Sequence, residues 1–377
     1  MTNFNSRPIV KFTPSPAGRE RAGERVGGKF SSPQNNGAHQ PPLSLTLSPQ
    51  AWRGDRVSHR SKENRNKPVY IHAAAALGPH GDITRLERRT LSGDPPPLEL
   101  KERVKEIVGV SLRQASHLVE LAAIGSQLCV QRLPTPAPED TAVYLGTGLA
   151  EVRKNEAVFK QVMPPGPGMA SPFDFINAAN NMAAFYTAKL GNFRARNLTV
   201  TQEEFSFEWA LKLAYQDLCA GNVDRALVGG VDENSHPRAR HLRRMQLRDD
   251  QVMGEGAGFL YLSCDTTGAR AELLGVERYK PETLIERLHA WRRPNEALVL
   301  LPGFRLEARE IQALLAALPN AQVLDYLAWC GCFHTAAAFG LAGLFDQTQP
   351  PALYIHINHD AGGRGMSIGV RIPPIRS

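Results

Sequence analysis

A strand, a turn, a helix and a second strand follow one another without a break between Asn197 and Gly230, in NLTVTQEEFSFEWALKLAYQDLCAGNVDRALVGG. The β-branched run NLTV reads as a strand, apolar residues recur at helical spacing from about 204 to 220, and RALVGG closes on paired glycines. A helix between two such strands makes a βαβ unit, which commits the chain to an α/β architecture with parallel strands. The turn before the helix rests on unsatisfied N–H groups, where the macrodipole favours negative charge and would activate a thiolate. It carries Gln202, Glu203 and Glu204 instead. The next cysteine, Cys219, falls about four helical turns further on and cannot take that place. Taken alone, the two glutamates also suit an ordinary first helical turn.

The same alternation runs on from Lys67. Strands are predicted at 68–76, 141–146, 197–201, 224–230, 257–263, 271–276, 297–301, 322–325, 353–357 and 366–371. Helices are predicted at 99–109, 112–128, 175–190, 204–220, 281–291, 306–317 and 334–345. Residues 67–265 and 266–377 form two halves of similar order. Residues 1–66 differ in kind, being rich in Pro, Gly, Ser and Arg with no sustained apolar period, and are expected to be a disordered basic leader. A start codon assigned too early would explain that leader. It holds eleven Lys or Arg against four acids and so accounts for the whole formal net charge of +7, leaving 33 basic and 33 acidic side chains in 67–377. Without a basic excess on the folded part, no nucleic-acid partner is expected. No apolar run reaches the roughly 18 residues that span a bilayer, so no membrane partner is expected either.

Cys129, Cys219, Cys264, Cys330 and Cys332 are odd in number and scattered, which suits reduced thiols in a cytoplasmic protein. Cys330 and Cys332 are too close for CxxC chemistry, and packing is their expected role. His356, His359 and Asp360 could be sketched as a metal cluster, but the alternation in LYIHIN reads as a strand with a polar end. No metal or cofactor is expected.

Five segments, in order, resemble the β-ketoacyl synthases of the thiolase superfamily. KPVYIHAAAALGPHGD (67–82) is similar to the opening strand and turn, YLGTGL (144–149) to the next glycine-bearing strand, and SPFDFINAANNMAAFYTAKL (171–190) to the segment leading into the interface helix. VGGVDE (228–233) resembles the AGGxE strand end, and GEGAG (254–258) matches its counterpart letter for letter. The resemblance implies a thiolase-like fold of duplicated half-domains in a five-layered αβαβα arrangement, shortened relative to a full ketosynthase.

It also implies where the chemistry should sit. Glu204 falls in the register of the nucleophilic cysteine, with Glu203 there if the turn is one residue shorter. In ALVLL-PGFR, Pro302 replaces the first active-site histidine and cannot transfer a proton. His334 in WCGCFHTAAAFG matches the second histidine, yet Trp329 stands at the preceding lysine position and Ala361 at the gating phenylalanine. With no nucleophile beside it, His334 is expected to be structural. The resemblance therefore points to a chain-length factor, a catalytically inactive subunit that forms a heterodimer with an active β-ketoacyl synthase. Its expected task is to shape that partner's acyl tunnel in aryl polyene or type II polyketide biosynthesis. Phe173, Phe175, Met182, Phe185 and Tyr186 are the candidate tunnel and interface residues. The link NSHPRARHLRRMQLRDDQVM, with Arg238, Arg240, Arg243 and Arg244, could meet an acyl carrier protein. Two alternatives stay open: a malonyl-carrier decarboxylase of the Gln-for-Cys type, on the strength of Gln202, and a stand-alone acyl-binding module.

Overall fold

The computed structural model describes residues 67–82, 89–112, 115–166, 168–234, 238–345 and 350–374. The leader lies outside them. In the first half the elements are β1 (Val69–Gly78), β2 (Gly81–Asp82), α1 (Lys101–Arg103) running into a π-helical turn, α2 (His117–Gln131), β3 (Ala142–Gly146), α3 (Val152–Val162) and α4 (Pro172–Asn177). They continue with α5 (Met182–Gly191), β4 (Asn197–Val200), α6 (Ser206–Ala220), β5 (Arg225–Asp232), α7 (Arg238–Met245) and β6 (Gly256–Ser263). The second half holds β7 (Ala271–Tyr279), α8 (Pro281–Trp291), β8 (Leu298–Pro302), α9 (Ala308–Ala317), β9 (Ala321–Val323), α10 (Leu327–Cys330), α11 (Ala336–Gly343), β10 (Ala352–His359) and β11 (Gly365–Ile372).

The strands run β4-β3-β5-β6-β1-β7-β11-β10-β8-β9, with β2 pairing only to β1. Read outward from the β1/β7 seam, the second half repeats the first strand for strand. β3 pairs in parallel with β4 and β5, as β8 does with β9 and β10. β5/β6 and β6/β1 are antiparallel, as are β10/β11 and β11/β7. The expected parallel strands are present in each half, and antiparallel pairs complete a mixed sheet. A tight turn from Asp360 to Arg364, with Gly363 at φ 73°, sends β11 back along β10 and needs no crossover helix.

Burial divides into layers. On the outer face of the first half, Leu118, Leu121 and Ile124 of α2 pack with Ala73, Leu77, Val143 and Phe259, and α5 adds Ala183 and Ala184. Leu284 and Leu288 of α8 and Leu314 of α9 cover Leu298, Leu300 and Ile355 in the second. Between the halves, Phe207, Ala210 and Leu211 of α6 and Ala337, Phe339 and Leu341 of α11 meet Tyr144, Val228 and Leu260 from one half and Leu301, Tyr354 and Ile368 from the other. That is the five-layered αβαβα arrangement. Helix α11 is apolar all round because it is enclosed on every side.

The glycine motifs acquire a physical reason here. A Cβ on Gly258 of GEGAG would lie 2.1 Å from the Ala338 carbonyl carbon, and one on Gly146 of YLGTGL would lie 2.5 Å from the Ser206 carbonyl oxygen. Both strands must come bare to let α11 and α6 lie against them.

Several boundaries depart from expectation. The helix expected over 175–190 is two helices, α4 and α5, because a turn through Ala178–Asn181 interrupts it. Helix α3 went unforeseen, having no buried residue to give it an inward stripe. The segment read as a charged link contains the arginine-rich helix α7.

Candidate functional site

The C-terminal ends of β4 and β8 and the start of α11 converge, as the strand order requires. After β4 the chain tightens into a 3₁₀ turn, Glu203–Phe205, before α6 begins. Glu203 sits at φ 45°, an uncommon conformation for a residue with a side chain. Its carboxylate points to the surface and meets Arg244 at 3.2 Å, a half-exposed pair worth little to stability. Glu204 points inward.

Arg305, three residues beyond Pro302, covers it. The Arg305 Nε donates to Glu204 Oε1 at 2.8 Å, Nη2 donates to the same oxygen, and both side chains are only 9 % exposed. Arg305 also stacks beside the Phe304 ring, 5.6 Å from its centroid, and donates to Gln246 Oε1 at 3.2 Å. So the loop after β8 supplies a guanidinium, and it holds the Glu204 carboxylate in a buried charge-assisted pair. The other hydroxyl at this turn is committed too: Ser206 Oγ accepts from Gln202 N and donates to the Glu203 carbonyl, each at 2.8 Å. Gln202 is held through its backbone N–H, with its side chain on the exposed rim.

Beneath Glu204 lies a polar network that the sequence did not announce. Asn358 Nδ2 donates to the Glu204 carbonyl at 2.9 Å and to Glu208 Oε1 at 2.8 Å. His356 faces the Leu301 carbonyl with Nδ1 at 2.9 Å and Glu208 Oε1 with Nε2 at 3.1 Å. Strand alternation gives only the faces: His356 and Asn358 share one face of β10, whereas Ile357 and His359 share the other. The three residues sketched as a metal cluster are thereby pulled apart, with His356 on the inner face and His359 on the outer.

His334 is buried one residue before Thr335, the N-cap of α11. Its ring stands edge-on to Phe304, with centroids 6.4 Å apart, and a Cβ on Gly148 would fall 2.2 Å from its own Cβ. The neighbouring Thr335 donates through N and Oγ1 to Asp232 Oδ2, at 2.9 and 2.8 Å, while Gly148 N and Thr147 Oγ1 donate to Oδ1. Burial pushes the Asp232 carboxyl up to about 6 against the pull of these donors. Asp232 thus ties β3, β5 and α11 together and fixes the backbone carrying His334. The thiols nearest to it in sequence are held protonated: burial pushes Cys332 up to about 12 and Cys330 well above its ordinary value. Trp329 packs against the central core, and Ala361 lies exposed in the β10/β11 turn.

The candidate tunnel residues divide. Phe173, Phe175 and Phe185 are exposed, Phe175 at 68 %, whereas Met182 and Tyr186 turn into the outer core of the first half. Met182 and Tyr186, four residues apart, share the inward side of α5. Phe159 of α3, Met163 just beyond it, Ile176 of α4 and Leu198 of the terminal strand β4 are exposed as well. Helices α3 and α4 are held to each other by polar contacts: Gln161 and Lys154 donate to Asp174 at 2.8 and 3.3 Å, and Ser171 N donates to Gln161 Oε1 at 2.6 Å. They form a flap with its apolar side outward.

Residues 102–264 match the family model of the β-ketoacyl synthase N-terminal domain. The ishigamide ketosynthase/chain length factor superposes with a TM-score of 0.66 at 18 % identity, over 81 % of this chain and 99 % of that one. A type II polyketide acyl-carrier protein in complex with its ketosynthase bound to the hexaketide, AntDE:AntF, gives 0.66 at 14 % identity over 81 % and 99 %. A β-ketoacyl synthase from Burkholderia phymatum STM815 gives 0.59 at 14 % identity over 81 % and 100 %. No curated protein matches the sequence. The fold is that of the ketosynthases.

Proposed function

We propose that this ketosynthase-like chain is a catalytically inactive chain-length factor, paired with an active β-ketoacyl synthase whose acyl tunnel it shapes in aryl polyene or type II polyketide biosynthesis. One observation carries the reading: the side chain at the nucleophile register is a carboxylate already buried against Arg305, so no thiolate waits there and no imidazole follows β8. A cysteine could store an acyl group at such a turn; Glu204 cannot. The same pair disfavours the decarboxylase alternative, since Pro302 removes one of the two histidines that the resemblance assigns to that chemistry.

The exposed apolar flap gives the second support. Phe159, Met163, Phe173, Phe175 and Ile176, five exposed large apolar side chains on or beside two helices that hold each other, favour an interaction site. Among the described residues β4 ends the strand order, which leaves an edge where a partner could pair. A partner seated there would meet Phe175 and Phe185, and bulky side chains at a tunnel floor limit the chain that fits. Each further methylene gains about 0.8 kcal/mol where there is room and clashes where there is none. An acyl carrier protein, being acidic, would be drawn to Arg240, Arg243 and Arg244 on α7; Arg238 has its side chain outside the described residues. Exposed Arg240 and Arg244 are partly neutralised by Glu156 and Glu203.

Co-expression with a ketosynthase encoded beside it, followed by affinity purification, tests the reading. A stable 1:1 complex whose condensing activity depends on both chains supports it. A monomeric chain that never enters such a complex, with a ketosynthase fully active alone, overturns it.

A further inference from the structure

Helices α8 and α9 leave a cavity of about 290 Å³ between them on the outer face of the second half. Leu284 and Ile285 of α8, Leu314 of α9, Leu306 and Ile357 make it apolar. Its polar groups gather at one end, where Glu310 of α9 faces His359 at the tip of β10, Oε2 to Nε2 at 3.3 Å. The Tyr279 hydroxyl is already spent on the Asn358 carbonyl at 3.0 Å, so Tyr279 offers the cavity only its ring.

We propose that this cavity is a binding site for a small apolar molecule with a hydrogen-bond-donating hydroxyl head, an alkylphenol or a comparable alcohol. Size sets the body. At about 30 Å³ per water-sized unit the space takes roughly ten non-hydrogen atoms, too few for a long acyl chain and enough for a ring with a short tail. Glu310 sets the head. Both of its hydrogen bonds, from the Glu307 N–H and from His359, use Oε2, which leaves Oε1 to accept from a ligand. Partial burial alone would raise its carboxyl, but the Glu307 N–H, His359 and Arg309 outweigh burial and hold it below its ordinary value. The acceptor therefore stays ionised near neutral pH, and a donor reaching it makes a charge-assisted bond.

The site is separate from the Glu204 turn. Ile357 and His359 open onto the cavity from one face of β10, while His356 and Asn358 reach Glu208 and Glu204 from the other. The inference consequently does not depend on the role proposed above.

Calorimetric titration of the full chain with 4-propylphenol tests it, against 4-propylanisole, which keeps the shape and lacks the donor. Saturable one-site binding is expected, with the anisole at least tenfold weaker. Ala313→Trp, on the rim of the cavity, should weaken the phenol at least tenfold without changing the melting temperature of the free protein, and Glu310→Gln should narrow the difference between phenol and anisole. Failure of the wild-type chain to bind the phenol saturably, equal binding of the two probes, or undiminished binding by both variants would each overturn the assignment.

Discussion

Arg305 and Glu204 come from opposite halves of the chain and meet with Nε 2.8 Å from Oε1, at the point where the strand ends of both halves converge. The contact places a neutralised ion pair at the turn before α6 and joins the two halves there.

Breaking that pair from one side should be costly. Arg305→Met leaves a buried carboxylate without its cation, a loss of about 3–5 kcal/mol, whereas Arg305→Met with Glu204→Leu removes both charges and should recover most of it. Denaturant unfolding of the two single variants and the double variant measures the coupling, and additive losses would contradict it.

A pH dependence follows from Glu151. Its side chain is fully buried and accepts from Ser116 Oγ at 2.7 Å, and burial, with nearby Glu233, pushes its carboxyl up to about 8 from an ordinary 4.5. The folded state keeps a proton that the unfolded state has lost, so this stability is complete below pH 4.5 and fades as the pH rises through 8. Glu151→Gln still accepts from Ser116 and never ionises. It should leave stability at pH 4 unchanged and raise it at pH 8.5 by roughly 4 kcal/mol, because each tenfold difference in proton affinity between the folded and unfolded chain is worth about 1.4 kcal/mol. Equal unfolding midpoints for the two proteins at pH 8.5 would count against it.

The flap should matter for pairing and not for folding. Phe175→Asp replaces an exposed phenylalanine, so the melting temperature of the isolated chain should stay within a degree or two while co-purification with the ketosynthase falls away. Phe175→Ala and Phe185→Ala should instead lengthen the partner's products, read by mass spectrometry of the released chains. Unchanged product lengths in both would remove those side chains from the tunnel.

Gly258 is required bare. Gly258→Val would drive a branched side chain into the α11 backbone, 2.1 Å from Ala338 C at its first carbon alone, and should destabilise the protein by more than the 1–3 kcal/mol typical of core overpacking. Thermal melts of Gly258→Val beside the exposed Gly93→Val separate this clash from the general effect of losing a glycine, since a Cβ on Gly93 meets nothing within 4 Å.

Much of this was legible in the residues. The strand-turn-helix at Asn197–Gly230, the ordered glycine motifs and the apolar α11 segment fixed the layers, because close approach and enclosure leave direct marks on composition. The two glutamates of the turn before α6 were legible as residues, but not that one faces the surface and the other is buried. Arg305 was not legible as a buried cation. Its partner lies 101 positions away, and a surface arginine and a buried one look alike in a single sequence. The His356–Glu208–Asn358 network was hidden likewise, since strand alternation gives the face of a residue and not its partner. Helix α3 escaped because it buries no residue, and α7 because arginines fill four of its eight positions and blur any apolar period.

Intact-mass analysis after incubation with an acyl-loaded carrier protein tests the central claim most directly. The purified chain alone should show no acyl adduct, and in the presence of its ketosynthase the adduct should appear on that partner only. A thioester or other acyl adduct on this chain that forms and turns over without the partner would contradict the account.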